Sequence, residues 1–203
     1  MGSAVGLLAL SPLLLLFAIL IKLDTPGPVI FRQTRIGRGG GAFAMWKFRT
    51  MVAGADKLKP SLRSNADPVV GLFKMPDDPR ITRVGRWLRR ISLDELPQLV
   101  NVLRGEMSLV GPRPLVADED KQITGRDRSR LHLTPGMTGH WQIQGARTPM
   151  AEMVKLDYLY VAGWSLWSDV KILLRTATHT CWRAVACEPT TGGSPVSTRG
   201  PRA

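Results

Sequence analysis

Residues Ala4–Ile21 carry no charged side chain, and this run constrains the fold more than any other stretch. As a helix it would be about 27 Å long, close to the ~30 Å hydrocarbon thickness of a bilayer. Its Leu, Ile, Val and Phe residues would gain about −4 to −7 kcal/mol on insertion. Burial in a soluble core is the plainer alternative. A cleavable signal fits poorly, because no basic segment precedes the run and Lys22-Leu23-Asp24 follows where small residues belong. Ser11-Pro12 sits in mid-run. Pro12 cannot donate to the carbonyl four residues back, so a kink or break is expected there. A kinked spanning helix and a re-entrant helix that turns back within one leaflet both satisfy this. The positive-inside rule puts Lys22 and the basic region after it on the cytoplasmic side.

That region is strongly basic. The chain holds 28 Lys+Arg against 16 Asp+Glu, a net charge of +12. Such an excess calls for an anionic partner: nucleic acid, anionic lipid or a phosphorylated substrate. A length of 203 residues allows one catalytic domain with short appendages. Cys181 and Cys187 are too few for a disulfide scaffold and lack the partners of a structural zinc site. With 3 His, no HExxH and no CxxC, metal–imidazole chemistry is disfavoured. A Mg²⁺ site built from carboxylates stays open.

Thr25-Pro26-Gly27-Pro28 ends the hydrophobic helix in an irregular turn. Val29–Thr34 and Ala42–Phe48 have strand character and are joined by Gly37-Arg38-Gly39-Gly40-Gly41, which predicts a hairpin. That loop is not a P-loop, since GxxxxGK(S/T) is absent. Residues 51–66 read as a short helix or a surface loop. Arg80, Arg83, Arg86, Arg89 and Arg90 follow with no acidic residue among them. Helical spacing puts Arg83, Arg86 and Arg90 on one face and Ile81, Val84 and Leu88 on another. A solvated face, lipid phosphates at ~1 kcal/mol per basic residue and substrate phosphate are all compatible with it. Leu96, Leu99, Val100 and Leu103 predict a buried helical face, stopped by Gly105. Met107–Val110 reads as a short strand, residues 115–131 as charged and helical, Leu133–Gly145 as turn-rich and Met150–Tyr160 as a helix. Trp164, Leu166, Trp167, Val170, Leu173 and Leu174 form a stripe that suits a membrane interface or core packing equally. From Ala184 onward Pro, Gly, Ser and Thr dominate, which predicts a disordered tail over residues 184–203. The expected organisation is a membrane helix over residues 1–23 and a catalytic domain over residues 24–183. Its class is α+β and mainly helical, with a small β-hairpin and interfacial amphipathic helices.

Ser92-Leu93-Asp94-Glu95-Leu96-Pro97 is the most informative stretch. Ser-x-x-Glu ahead of an apolar helical run is a capping box. Against that, Pro97 would then fall at the fifth helical position, where its missing N–H breaks a bond. A start at Asp94 or later puts Pro97 within the first turn, where no partner is needed. Asp94 and Glu95 would then lie side by side at the positive end of a helix, just after the arginine cluster. A carboxylate kept ionised beside a phosphate-binding surface can be a nucleophile at phosphorus. Its neighbour can hold Mg²⁺, which takes one or two carboxylates plus substrate phosphate oxygens. Gly111-Pro112-Arg113-Pro114 presents one arginine between two fixed φ angles, either as a rigid turn or as a preset fork for phosphate. Alternation along the second strand puts Lys47 and Arg49 on one face, for phosphate or for solvent. Asp157 and Tyr160 share a helix face, as site support or structure.

Taken together, these motifs resemble the catalytic domain of the bacterial sugar transferases, the monotopic polyprenyl-phosphate phosphoglycosyl transferases. The likeness runs from about Leu7 to Arg175. It rests on Ser11-Pro12, Pro26-Gly27-Pro28, Phe31-Arg32-Gln33, Arg35-Ile36-Gly37 and Lys47-Phe48-Arg49-Thr50-Met51. It continues through Asp78-Pro79-Arg80-Ile81-Thr82, Ser92–Leu99, Ser108–Pro114, Pro135–Gly139, Trp141-Gln142 and Trp164-Ser165-Leu166-Trp167. The resemblance implies transfer of a sugar phosphate from a UDP-sugar to undecaprenyl phosphate, or another polyprenyl phosphate, with release of UMP. It implies Asp94 as the nucleophile that forms a covalent phosphosugar intermediate, and Glu95 as the Mg²⁺-associated partner. Arg113 and Arg89 match positions tied to substrate phosphates, with Lys47, Arg49 and Arg80 as further candidates. Ser11-Pro12 matches the break of a re-entrant helix, with both helix ends on the cytoplasmic face of the inner membrane. Such products feed exopolysaccharide and glycoconjugate assembly. Two departures stand out. Members usually carry basic and polar residues before the hydrophobic segment, whereas Met1-Gly2-Ser3 leads straight into it here. Residues Gln144–Met150 also differ from the usual pattern. The competing class is a membrane-anchored basic binding or scaffold protein without turnover. It would bind nucleic acid or anionic lipid with steep salt dependence. No nucleic-acid motif is present, and 2 Tyr and 5 Phe offer little for base stacking, so no nucleic-acid partner is expected.

Overall fold

The computed structural model describes residues 2–58, 78–143 and 149–185. Residues 59–66 of the expected helix or loop, 144–148 of the divergent stretch and 186–203 of the tail lie outside the described residues. Helices dominate, with two small two-stranded sheets among the described residues.

Helix α1 (Gly2–Asp24) is the apolar run, and Pro12 lies inside it. The expected interruption at Ser11-Pro12 is therefore not an interruption of the secondary structure. Ser11 Oγ donates to the Leu8 carbonyl at 2.8 Å, one turn back. Only 11% of the apolar window within Gly6–Asp24 is buried. That burial is concentrated in the second half, where Phe17 and Ile21 pack with Phe48 and Leu88. The Phe17 ring meets Phe48 and Trp87 edge-on, with centroids 6.0 and 5.7 Å away. Leu8 and Leu15 stand 76% and 63% exposed, an apolar surface that has no protein partner among the described residues.

The hairpin forms as expected. Strands β1 (Ile30–Ile36) and β2 (Ala42–Phe48) pair antiparallel from Ile30↔Phe48 to Ile36↔Ala42. The loop between them needs its glycines, because Gly39 and Gly40 adopt φ of +67° and +82°. Helix α2 (Arg83–Arg90) is capped twice. Thr82 Oγ1 accepts from Gly85 N–H at 3.0 Å, and Asp24 Oδ2, at the end of α1, accepts from Val84 N–H at 3.1 Å. Val84 and Leu88 face the α1 cluster, while Arg83, Arg86 and Arg90 are exposed.

The capping-box reading of Ser92 does not hold. Ser92 is left-handed, with φ +55°, and its side chain caps nothing. Leu93–Glu95 instead form a separate 3₁₀ turn, and α3 (Gln98–Leu103) starts after Pro97, so the later start is the one realised. The expected buried face of α3 is also reversed in part. Gln98 and Asn101 are its buried residues, while Leu103 is 47% exposed. The cause is β2, whose backbone needs partners. Asn101 Oδ1 accepts from Trp46 N–H at 3.0 Å, and Asn101 Nδ2 donates to the Ala44 carbonyl at 2.7 Å.

Strand β3 (Ser108–Val110) pairs in parallel with β4 (Gly136–Thr138). The charged stretch after β3 is less helical than expected: α4 (Ala117–Asp120) is one turn, and Gly125–His132 is 3₁₀. Helices α5 (His140–Ile143), α6 (Met150–Ala162) and α7 (Leu166–Val185) close the described chain. On α7, Ile172 is buried against Val110 and Tyr160. Leu166, Trp167 and Leu174 are 73%, 65% and 63% exposed, so the stripe faces outward rather than into a core.

Candidate active site

The 3₁₀ turn carrying Asp94 and Glu95 is pressed against β2 and α2, and the two carboxylates diverge. Asp94 is buried and lines a cavity of about 410 Å³. Glu95 lines a smaller one of about 30 Å³. Arg35 and Lys47 belong to the walls of both. Lys47 Nζ is 2.6 Å from Glu95 Oε1. The larger cavity adds Arg49, Thr50 and Arg89, with Pro28, Phe31 and Phe48 on its apolar side. The smaller one adds Gln98, Arg113 and Trp141.

Electrostatics separate the two acids. Burial and the neighbouring Glu95 push the Asp94 carboxyl up, while Lys47 and Arg89 pull it down. Arg89 is held by its own bond, Nε donating to Thr50 Oγ1 at 2.8 Å. That contact depends on close approach of α2 to the end of the hairpin. A Cβ on Gly85 would lie 2.2 Å from the Thr50 carbonyl oxygen. Arg35 is half-buried beside Arg113, and its guanidinium is lowered to about 10, mainly by desolvation.

The sequence-predicted residues divide into groups. Asp94, Arg89, Lys47 and Arg49 come together around the larger cavity, and Glu95, Lys47 and Arg113 around the smaller. Arg49 lines its cavity yet also terminates α1. Its guanidinium donates to the carbonyls of Ile21, Thr25 and Pro26, placing a cation at the negative end of the helix. Arg80 lies in neither cavity wall. It forms a buried fork with Asp78, at 2.8 and 2.6 Å, and donates to the Ala55 carbonyl at 3.1 Å. Asp157 and Tyr160 stand behind the site. Asp157 accepts from Arg130 at 3.0 Å, and Tyr160 Oη donates to Asp169 at 2.6 Å, tying α6 to α7. Ser11 and Pro12 are exposed on α1.

Arg35, Gln98, Trp141 and Thr50 were missed as site residues. For Arg35 the signal was available. The register puts Phe31 opposite Lys47, so alternation carries Gln33 and Arg35 to the same face. Gln98 and Trp141 come from segments far apart in sequence, and no local pattern marks them.

For Mg²⁺, no group of three or more His, Cys, Asp or Glu gathers among the described residues. Asp94 and Glu95 line different cavities, and Glu95 is paired with Lys47 at 2.6 Å, so a Mg²⁺ ion would take a single carboxylate here and complete its shell with substrate phosphate oxygens. One carboxylate is within what Mg²⁺ uses at a phosphate site, and Glu95 is the residue that would hold it.

A buried carboxylate thus faces a cavity lined by Arg35, Lys47, Arg49 and Arg89, on a domain packed against an apolar helix long enough to cross a bilayer. Residues 1–183 match the family described as Bacterial sugar transferase, and the chain belongs to that family. It is 46% identical over 175 residues to the UDP-glucose:undecaprenyl-phosphate glucose-1-phosphate transferase of Caulobacter vibrioides, covering 82% of this chain and 61% of that one. It is 44% identical over 177 residues to the galactosyl transferase CpsE of Streptococcus agalactiae, covering 86% of this chain and 39% of CpsE. It is 42% identical over 186 residues to the exopolysaccharide production protein ExoY of Rhizobium meliloti, covering 89% and 82%. The chain thus spans about two fifths of CpsE and most of ExoY.

Proposed function

We propose that the protein transfers a sugar 1-phosphate from a UDP-sugar to undecaprenyl phosphate at the cytoplasmic face of the bacterial inner membrane, as a first membrane step of exopolysaccharide or glycoconjugate assembly. Several relatives are named as undecaprenyl-phosphate sugar phosphotransferases, which supports the acceptor and the reaction class. The observation that carries the reading is Asp94, buried at the wall of a cavity shared with Arg35, Lys47, Arg49 and Arg89. In the first half-reaction an Asp94 carboxylate oxygen attacks the β-phosphorus of the UDP-sugar. An O–P bond forms, and the bond to the bridging oxygen breaks. Its electron pair leaves with UMP. In the second, an oxygen of the lipid phosphate attacks the same phosphorus and returns Asp94 as a carboxylate. Lys47, Arg89 and Arg113 offset the phosphate charge. Glu95 would hold Mg²⁺, which when bound neutralises diphosphate oxygens. α1 is continuous through Pro12, so re-entrant insertion would turn on a kink at Ser11-Pro12 rather than on a break, with the cavity kept at the membrane surface.

The test is UMP release from a panel of UDP-sugars, using protein reconstituted in membranes with undecaprenyl phosphate and Mg²⁺. Turnover that requires the lipid acceptor and vanishes in Asp94→Asn is the expected result. No release from any donor, with the protein folded and inserted, would overturn the reading.

A further inference from the structure

The Pro112–Leu115 turn is gripped along its whole backbone. Its successive carbonyls accept from different segments. Pro112 takes Gly136 N–H at 2.9 Å, and Leu115 takes Ile36 N–H at 2.8 Å. Between them, Arg113 takes Arg130 Nη2, and Pro114 takes Arg35 Nη1 at 3.2 Å. The two middle donors are guanidiniums from distant elements, each with a buried or half-buried counter-ion. Arg130 and Asp157 have side chains only 2% and 3% exposed. Arg130 Nε and Nη2 both donate to Asp157 Oδ2, at 3.1 and 3.0 Å. Asp120 Oδ1 stands 3.9 Å from Arg130 Nη1. Arg35 Nη1 lies 3.7 Å from Glu119 Oε2, and its Nη2 donates to Gln33 at 2.6 Å.

A buried ion pair is a poor source of net stability, because desolvation offsets its attraction. What this arrangement does supply is direction. Arg130 reaches the carbonyl of the one charged residue in the turn, whose side chain lines the smaller cavity together with Pro114. The Arg113 guanidinium lies 4.8 Å over the Trp141 ring and lines the cavity of Glu95 and Lys47. Proline on both sides fixes two φ angles of the turn but leaves its carbonyls free to rotate as peptide units. The guanidinium grips remove that freedom.

We propose that Arg130 and Arg35 are positioning residues: with Asp157 and Glu119 as counter-ions, they hold successive carbonyls of the Pro112–Leu115 turn and so set where the Arg113 guanidinium sits. The role of Arg113 itself rests on the proposed function above.

The test uses the full chain in membrane nanodiscs and two variants placed away from both cavities, Asp157→Asn and Glu119→Gln. Hydrogen exchange reads the clamp without reference to activity. Amides of Ile36 and Gly136, which bond to the same turn, should exchange roughly tenfold faster in either variant, as expected for a local opening made about 1.4 kcal/mol easier. Amides in the middle of β2 should keep their protection. Calorimetric binding of UDP reads the consequence. Asp157→Asn should weaken it roughly tenfold in the otherwise unaltered protein and leave it unchanged in an Arg113→Ala background. Unchanged exchange at Ile36 and Gly136 in both variants would overturn the clamp. So would a loss of UDP affinity equally large with and without Arg113. Should Asp157→Asn fail to fold, Glu119→Gln carries both readings through the Arg35 arm. A protein that releases no UMP and binds no UDP, yet shows the exchange change, would sink the proposed function while leaving the clamp standing.

Discussion

In the proposed reaction Asp94 has to be ionised to attack phosphorus, and its burial works against that. Burial and Glu95 raise its carboxyl, and Lys47 and Arg89 lower it. The acidic limb of kcat is therefore expected to be shifted upward from that of an unperturbed aspartate. The sign can be checked from both sides. Lys47→Met removes a lowering charge and should move the limb to higher pH, while Glu95→Gln removes a raising one and should move it to lower pH. Initial rates across a pH series, normalised to each variant's plateau, read the shift. Equal limbs in the two variants would refute the assignment of Asp94 as the titrating group. Loss of activity at low pH would not be unfolding caused by this residue. A carboxyl raised in the folded state favours the fold more as pH drops through its folded value. Asn101 makes the second residue-scale case. It is fully buried, and its amide bonds to Trp46 N–H, the Ala44 carbonyl and Glu106 Oε2. Asn101→Ala leaves those groups unsatisfied and should cost about 2–4 kcal/mol in urea unfolding. Asp94 was singled out in the sequence by its place beside a second acid after an arginine cluster and by the family resemblance, and the structure puts it, buried, at a cavity wall. Asn101 was not, since its partners are backbone groups of another element and leave no mark on residue type.

At the level of elements, local rules read best where the element closes on itself. The hairpin followed from alternation and a glycine loop, and its observed strands differ from the expected ones only at the ends of β1. α3 shows the converse. Its leucines and valine obey helical spacing, but β2 presents unpaired peptide groups, and a polar side of α3 turns inward to meet them. Tertiary demand outweighed the apolar pattern. Arg49 illustrates the same dependence. Strand alternation predicted its face, yet not that its guanidinium would collect the carbonyls ending α1. Replacing it by Met keeps the strand and removes the cap. Arg49→Met should therefore destabilise the domain by about 1–3 kcal/mol and loosen α1. The change would appear as faster amide exchange over residues 21–25, with the hairpin protected. Retained protection there would show that the cap is dispensable.

For the molecule as a whole, the apolar helix is part of the core and, under the proposed function, also the anchor. Phe17 and Ile21 are each 2% exposed, packed with Phe48 and Leu88, and Asp24 caps α2. Large-to-small changes at such buried positions cost about 2–5 kcal/mol each. Removing both side chains together approaches the whole stability of a typical domain, about 5–15 kcal/mol. Deleting residues 2–24 should thus not release a folded soluble enzyme. It should leave a chain with no cooperative urea transition, exposing Phe48 and Leu88 and leaving the first turn of α2 without its Asp24 cap. The exposed face of the same helix separates the two roles. Leu15, Leu16 and Ile19 are 63%, 49% and 49% exposed, in contrast to Phe17 and Ile21 of the core cluster. Replacing these three by Ser should weaken membrane partitioning and leave the urea transition in detergent close to that of the unaltered protein. Sedimentation with vesicles and unfolding monitored by circular dichroism read the two effects independently. If the truncated chain folds cooperatively, the anchor is a detachable tether and its packing against the hairpin is incidental. If the serine variant unfolds, the outer face of α1 belongs to the core as well, and membrane and domain cannot be considered apart.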